Sequence, residues 1–170
     1  MPINIEIKAR VKSLVLLEEK VKKIADFGPE LIKQEDVFFK TENCRLKLRI
    51  FDSGKGELIY YKRANTFQSK ESNYEIYKTE NPESLRDVLN KAYGSEITVR
   101  KKRVLYLIGQ TRVHLDEVEE LGAFMELEYV LKNNESRKQG ENAVTQLMET
   151  LEISKSDLIS VAYADLLAKI

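Results

Sequence analysis

The chain opens on a strict alternation. Ile3, Ile5, Ile7 and Ala9 fall on one face of an extended strand, and Asn4, Glu6, Lys8 and Arg10 on the other. The segment RLKLRI repeats it, with Arg45, Lys47 and Arg49 opposite Leu46, Leu48 and Ile50. FMELEY puts Glu126 and Glu128 on a shared face. Strands that carry acids and bases together on one face predict a barrel whose interior is ionic rather than oily. The apolar faces, Ile5, Ile7, Leu46 and Leu48 among them, must then point outward onto helices.

The chain supplies those helices. Ser13 caps one that runs to about Asp26, with Leu14, Leu17, Val21, Ile24 and Ala25 as its stripe and Gly28-Pro29 as its stop. Pro82 opens another that ends near Gly94, burying Leu85, Val88 and Leu89. From Glu135 the period is helical again: Val144, Leu147, Met148 and Leu151 mark one helix, and Leu158, Ile159, Val161, Ala162, Leu166 and Leu167 a second. Between them, QEDVFFK, RLKLRI, ELIYYKR and SNYEIYKTE read as strands, as do EITVRKKRVLYLI, QTRVHLDEV and FMELEYVL. The predicted class is α+β, an antiparallel β-barrel tunnel of about eight strands with a charged interior and helices packed outside.

A length of 170 residues suits a single domain over 1–170. The 28 basic and 28 acidic residues cancel, so no global field favours nucleic acid or an anionic membrane. Charged residues reach 33%, above the roughly 25% of ordinary soluble domains, and a charged tunnel absorbs part of that surplus. No apolar run approaches a membrane span and no signal-peptide pattern opens the chain, which points to the cytoplasm. The single Cys44 excludes an internal disulfide and a cysteine-based zinc site.

Glu6, Glu126 and Glu128 offer hard oxygen ligands without a thiolate or imidazole cluster, a set suited to Mg2+ or Mn2+. Asp116 shares a strand face with Arg112 and His114 and is placed to add to that shell. From alternation alone the same acids are equally readable as cross-strand salt-bridge partners. No glycine-rich phosphate loop and no serine nucleophile elbow occur. His114 lacks a second histidine or a reactive cysteine and reads as a hydrogen-bonding partner beside Asp116.

Taken in order, these segments resemble the CYTH family, the triphosphate tunnel metalloenzymes that include class IV adenylyl cyclases, thiamine triphosphatases and inorganic triphosphatases. Asn4-Ile5-Glu6-Ile7-Lys8 matches the family's Glu-x-Glu-x-Lys mark with the first acid missing. HLDEVEELGAFMELE, His114 to Glu128, is similar to its Asp-x-Val-x-x-Leu-Gly-x-Phe-x-Glu-x-Glu block. VRKKR resembles its penultimate basic strand, and SVAYADLL the closing helix of the cyclase-like branch.

The resemblance implies that Glu6, Glu126 and Glu128 hold metal and that Lys8 acts near the scissile phosphate. It implies that Arg45, Lys47, Arg49, Lys62, Lys101, Arg103 and Arg112 grip the phosphates, by planar forks or mobile ammonium charges. Glu75 and Tyr77 resemble part of an acidic strand. Asn4 removes one negative ligand, and Phe38-Phe39 replaces an Asp-x-Tyr-Tyr tyrosine, which argues against thiamine triphosphate.

The expected function is metal-dependent hydrolysis of a triphosphate-bearing small molecule. The alternatives are a class IV adenylyl cyclase making cyclic AMP and pyrophosphate, and a non-catalytic polyphosphate or nucleotide-binding module. No nucleic-acid or membrane partner is expected, and either a monomer or a homodimer suits the sequence.

Overall fold

The computed structural model describes residues 3–63 and 70–170. Strand β1 (Ile3–Arg10) leads through α1 (Leu14–Lys22) to β2 (Phe27–Phe39), β3 (Arg45–Phe51), β4 (Gly56–Arg63) and β5 (Lys70–Thr79). Helix α2 (Pro82–Tyr93) precedes β6 (Ser95–Ile108), β7 (Thr111–Val118) and β8 (Gly122–Val130). Helices α3 (Arg137–Thr150) and α4 (Tyr163–Leu167) close the described chain. The strands form a closed antiparallel barrel in the order β1-β5-β4-β3-β2-β6-β7-β8, so the predicted α+β barrel is the observed one.

The inversion of the barrel is borne out. Ile5, Ile7 and Ala9 of β1 lie outside, against Leu17 and Val21 of α1 and Val144, Leu147 and Met148 of α3. Val113, Leu115, Met125 and Leu127 of β7 and β8 complete that cluster. Leu46 and Leu48 of β3 pack with Leu58, Val37 and the α2 residues Leu85 and Leu89. Each fully buried aliphatic side chain contributes about 1.5–3 kcal/mol, whereas buried ion pairs roughly break even against desolvation. The outer apolar shells therefore hold the barrel together. Helix α3 approaches closely because Gly140 meets β1: a Cβ there would lie 2.8 Å from Ile5 Cγ1.

Local signals set the helix starts. Ser13 accepts from the Leu16 amide, Asn81 from Ser84 in front of Pro82, and Ser136 with Gln139 forms a reciprocal cap on α3. Three boundaries differ from the sequence reading. Helix α1 ends at Lys22, because the Asp26 amide bonds Leu107 O and the chain joins the sheet. Strand β2 therefore starts at Phe27, well before QEDVFFK, and Gly28-Pro29 lies inside it. The last helix is shorter than predicted, only Tyr163–Leu167. Leu158 instead bridges Ala9 and the Ile159 amide bonds Lys8 O, so this segment is an extended strap on β1.

Candidate active site

Alternation carries one face of every strand into a single cavity of about 330 Å³. Helix α4 fills one end: Tyr163, Ala164 and Leu167 pack on Phe38, Val99, Val118 and Phe124. At the other end the rim residues Ile32, Phe51, Glu57, Leu105 and Arg112 are half-buried.

The lining falls into three sectors. Strands β3, β2 and β6 form a basic wall with Lys47, Arg49, Lys101 and Arg103, and Asp36 between them. Strands β8 and β1 form an acidic wall with Glu6, Glu126 and Glu128, interrupted by Lys8. Strands β4 and β5 contribute Ile59, Tyr61, Tyr74 and Ile76, an apolar and aromatic wall.

Ion pairs join the basic and acidic sectors. Arg103 lays its fork on Asp116, Nε to Oδ1 and Nη2 to Oδ2, both at 2.7 Å, and Nη2 also reaches Glu126 Oε2 at 3.0 Å. The other Glu126 oxygen receives Lys8 at 3.1 Å. Asp36 accepts from Lys47 at 2.9 Å and from the Arg49 fork at 2.8 and 2.9 Å. Arg112 meets Glu128 at 3.0 Å. The Tyr163 hydroxyl donates to Asp116 Oδ2 at 2.8 Å.

Charge states follow from these contacts. Burial alone would raise the carboxyl pKa of Glu126, but Lys8 and Arg103 hold it well below the usual range. Asp36 behaves likewise, with Arg49 and Lys47 overcoming burial. Burial, reinforced by the Arg103 charge, pushes Lys101 down to about 7. Burial and Arg103 also lower His114, so its imidazole is neutral near neutral pH. Burial and the charges of Glu126 and Asp116 push the Tyr163 phenol well above its ordinary value, which keeps it a donor.

Among the described residues no three acids, histidines or cysteines stand together as a preformed metal centre. The β1–β8 edge nevertheless has the chemistry for a hard divalent cation. Glu6 stands directly opposite Glu128 in the ladder, and Arg112 supplies a counter-charge to Glu128 from β7. Beside them the buried Asn4 donates Nδ2 to Glu128, while its Oδ1 has no partner among the described residues. Two carboxylates and an amide oxygen are ligands that magnesium or manganese accepts.

The CYTH domain family profile matches residues 2–163. The chain belongs to the CYTH family. Members of this family are triphosphatases or adenylyl cyclase-like enzymes. A Methanocaldococcus jannaschii protein provisionally named an adenylate cyclase is 28% identical over 174 residues, covering 96% of this chain and 98% of that protein. The PH1012 protein of Pyrococcus horikoshii superposes with a TM-score of 0.87 at 23% identity, covering 96% of this chain and 98% of that one. HpAC1 of Hippeastrum, whose structure is described with a dominant triphosphatase activity, superposes at 0.68 and 14% identity over 99% and 94% of the two chains. These two structural likenesses establish the CYTH fold.

Within the CYTH barrel the sequence-predicted residues separate. Glu6, Lys8, Lys47, Arg49, Lys101, Arg103, Arg112, Glu126 and Glu128 all line the cavity. Asp116 lies behind the lining, fully buried, with both oxygens taken by Arg103 and one shared with Tyr163. Arg45 is turned to the plugged end, where it pairs with Asp165 at 2.7 Å. Lys62 is exposed: its neighbour Tyr61 points inward, and the pleat sends Lys62 out. Glu75 and Tyr77 are exposed outside for the same reason, flanking the inward Ile76. His114 Nδ1 stands 3.6 Å from Glu126 Oε2, so its carboxylate neighbour is on the next strand rather than Asp116.

Asp36, Tyr61 and Tyr163 are among the cavity residues that escaped the sequence reading. Asp36 was legible in principle, being the register partner of Arg49. Tyr61 follows from the same alternation as Ile59 in β4. Tyr163 had no local signal, since an extended strap carries it into the barrel.

Proposed function

We propose that this CYTH protein hydrolyses a linear triphosphate, inorganic or carried on a small organic group, with magnesium or manganese. The observation that carries the reading is the segregation of one cavity into a basic wall and an acidic wall. A polyphosphate carries several negative charges, so it needs a cationic surface on one side and counter-ions on the other.

Lys47, Arg49, Lys101 and Arg103 hold the phosphate chain, and Arg112 meets it at the rim. Lys8 is the residue placed near the reacting phosphoryl group. Glu6 and Glu128, with Glu126 and the Asn4 carbonyl beside them, would hold the metal. When bound there, the divalent cation neutralises charge on phosphoryl oxygens. Asp116 serves as the anchor of Arg103 rather than as a ligand, and Arg45 and Lys62 lie outside the substrate set. Water adds to the terminal phosphorus as the bridging P–O bond breaks, and the electron pair leaves on the diphosphate oxygen. The water proton is released to solvent with the products. Catalysis is positioning plus charge stabilisation by groups already fixed in place.

A second reading, cyclisation of ATP, is favoured by the aromatic wall of Tyr61 and Tyr74 beside the phosphate cations. Incubation with magnesium or manganese and inorganic triphosphate, ATP or thiamine triphosphate separates the readings. Orthophosphate with diphosphate supports hydrolysis; cyclic AMP with diphosphate replaces it by cyclisation. Absence of turnover on all three substrates leaves a binding module.

A further inference from the structure

Among the described residues, Tyr163 is the one aromatic group in contact with both buried lysines of the cavity. Lys8 Nζ lies 3.9 Å from its ring centroid and Lys101 Nζ 4.9 Å. Its hydroxyl donates to Asp116, the carboxylate that carries the Arg103 fork. One side chain thus touches two phosphate-facing cations and the anchor of a third.

Its own position is fixed from three sides. The strap before it is bonded to the backbone of Lys8 through the Ile159 amide at 2.8 Å. Asp165 accepts from the Ala162 amide and also takes the Arg45 guanidinium at 2.7 Å. The ring rests on Phe124 with centroids 5.0 Å apart.

We propose that Tyr163 is a positioning residue for phosphate binding, its ring setting where the Lys8 and Lys101 side-chain nitrogens point. This rests on the triphosphate reading of the cavity. A ring face is a different kind of partner from a carboxylate. It attracts the cation through its quadrupole without occupying the N–H donors, so the Lys101 nitrogen remains available to a phosphate oxygen, whereas Lys8 also pairs with Glu126. A carboxylate in the same place would compete with the phosphate for those donors. Lys101 shows the need: its nearest acidic oxygen, Asp116 Oδ2, is 3.6 Å away, and burial disfavours its charge. The hydroxyl adds a separate effect by fixing the Asp116 carboxylate that orients Arg103.

The test replaces Tyr163 with Phe, then with mono-, di- and trifluorinated phenylalanine. Fluorine withdraws charge from the ring face while scarcely changing shape, so a packing role is blind to it. The kcat/KM for inorganic triphosphate with magnesium should fall at each step, by about tenfold across the series. A flat kcat/KM overturns the proposal.

Two readouts stand apart from turnover. The ε-methylene protons of Lys8 and Lys101 should be shifted upfield by the ring in wild type and Tyr163→Phe, and return to ordinary positions in Tyr163→Leu. Signals unmoved by Tyr163→Leu would refute the placement. If wild type turns over no triphosphate, the hydrolase reading falls. Calorimetric affinity for inorganic triphosphate in the fluorinated series then decides the role of Tyr163, supported by a graded loss and overturned by none.

Discussion

Asp36→Asn should weaken the ligand-free protein and make it more responsive to triphosphate. The Asp36 side chain is 3% exposed, and among the described residues its two oxygens are the only acidic partners within 3 Å of Lys47 and Arg49. An amide of the same shape leaves two buried cations facing each other. Breaking a buried charge cluster in this way costs about 3–5 kcal/mol. With a urea slope of about 2 kcal/mol per molar, the unfolding midpoint should drop by roughly 1.5–2.5 M. An incoming phosphate supplies the lost negative charge, so saturating inorganic triphosphate should raise the midpoint of the variant more than that of wild type. The pH dependence has a definite sign. The wild-type advantage comes from a carboxyl whose folded pKa is depressed, so it persists above the ordinary aspartate range and is lost only as pH falls through the lower folded value. Burial and Arg49 already lower Lys47, and losing Asp36 lowers it further. The deficit should therefore shrink as pH rises through the lowered folded-state range of Lys47, where the neutral amine no longer needs the carboxylate. Equal urea midpoints, or equal stabilisation of both proteins by triphosphate, would refute the reasoning.

Two further outcomes follow from single groups. Asn4→Asp places a third carboxylate beside the facing Glu6 and Glu128, so the variant should melt below wild type without metal and gain more on magnesium addition. Differential scanning calorimetry with and without magnesium checks this, and an unchanged metal response would put residue 4 outside the coordination sphere. Lys101, held at about 7 by burial and Arg103, binds an anion in its protonated form, so triphosphate KM should rise as pH climbs through that value. Lys101→Arg stays charged, and KM profiles of both proteins from about pH 6 to 9 should diverge above 7, by up to about tenfold per unit; parallel profiles would remove Lys101 from the titration.

Period-two alternation made most of the barrel lining legible, because a pleated strand must send Glu6 and Lys8, or Lys47 and Arg49, to the same side. It failed where inwardness was not decided by alternation alone. Lys62 sits at the end of a basic-looking strand, yet its parity puts it outside, and only the register of Tyr61 with Arg45 and Tyr74 reveals that. Arg45 has the correct parity, but it lies at the end that α4 occupies and is consumed by Asp165. Asp116 also has the correct parity, and Arg103 takes both of its oxygens. The strap before Tyr163 looked helical because Leu158, Ile159 and Ala162 are apolar; pairing with the edge of β1 supplied its hydrogen bonds instead.

On the proposed reading, the pairing of acids with bases inside this barrel would also couple a triphosphate to a divalent cation. In the ligand-free state Arg49 is held by Asp36, and Arg103 and Lys8 by Glu126. A triphosphate cannot drop into vacant cationic sockets; it must exchange with those carboxylates. Glu126, once relieved of Lys8 and Arg103, would face phosphate oxygens of its own sign in a partly desolvated space, where repulsion is strong. A divalent cation at the β1–β8 edge turns that displaced carboxylate from an opponent into a ligand. Triphosphate should therefore tighten magnesium binding, and magnesium should tighten triphosphate by the same factor, since coupling free energies are reciprocal. A coupling of about 1–3 kcal/mol, typical of linked sites, corresponds to roughly 5- to 150-fold. Calorimetry with a non-hydrolysable triphosphate analogue measures both arms. The factor should shrink in Glu126→Gln, whose amide is not repelled by phosphate. Magnesium affinity that is indifferent to the analogue would mean that the acidic and basic walls act independently, and that Glu126 keeps its ion pairs when phosphate is bound.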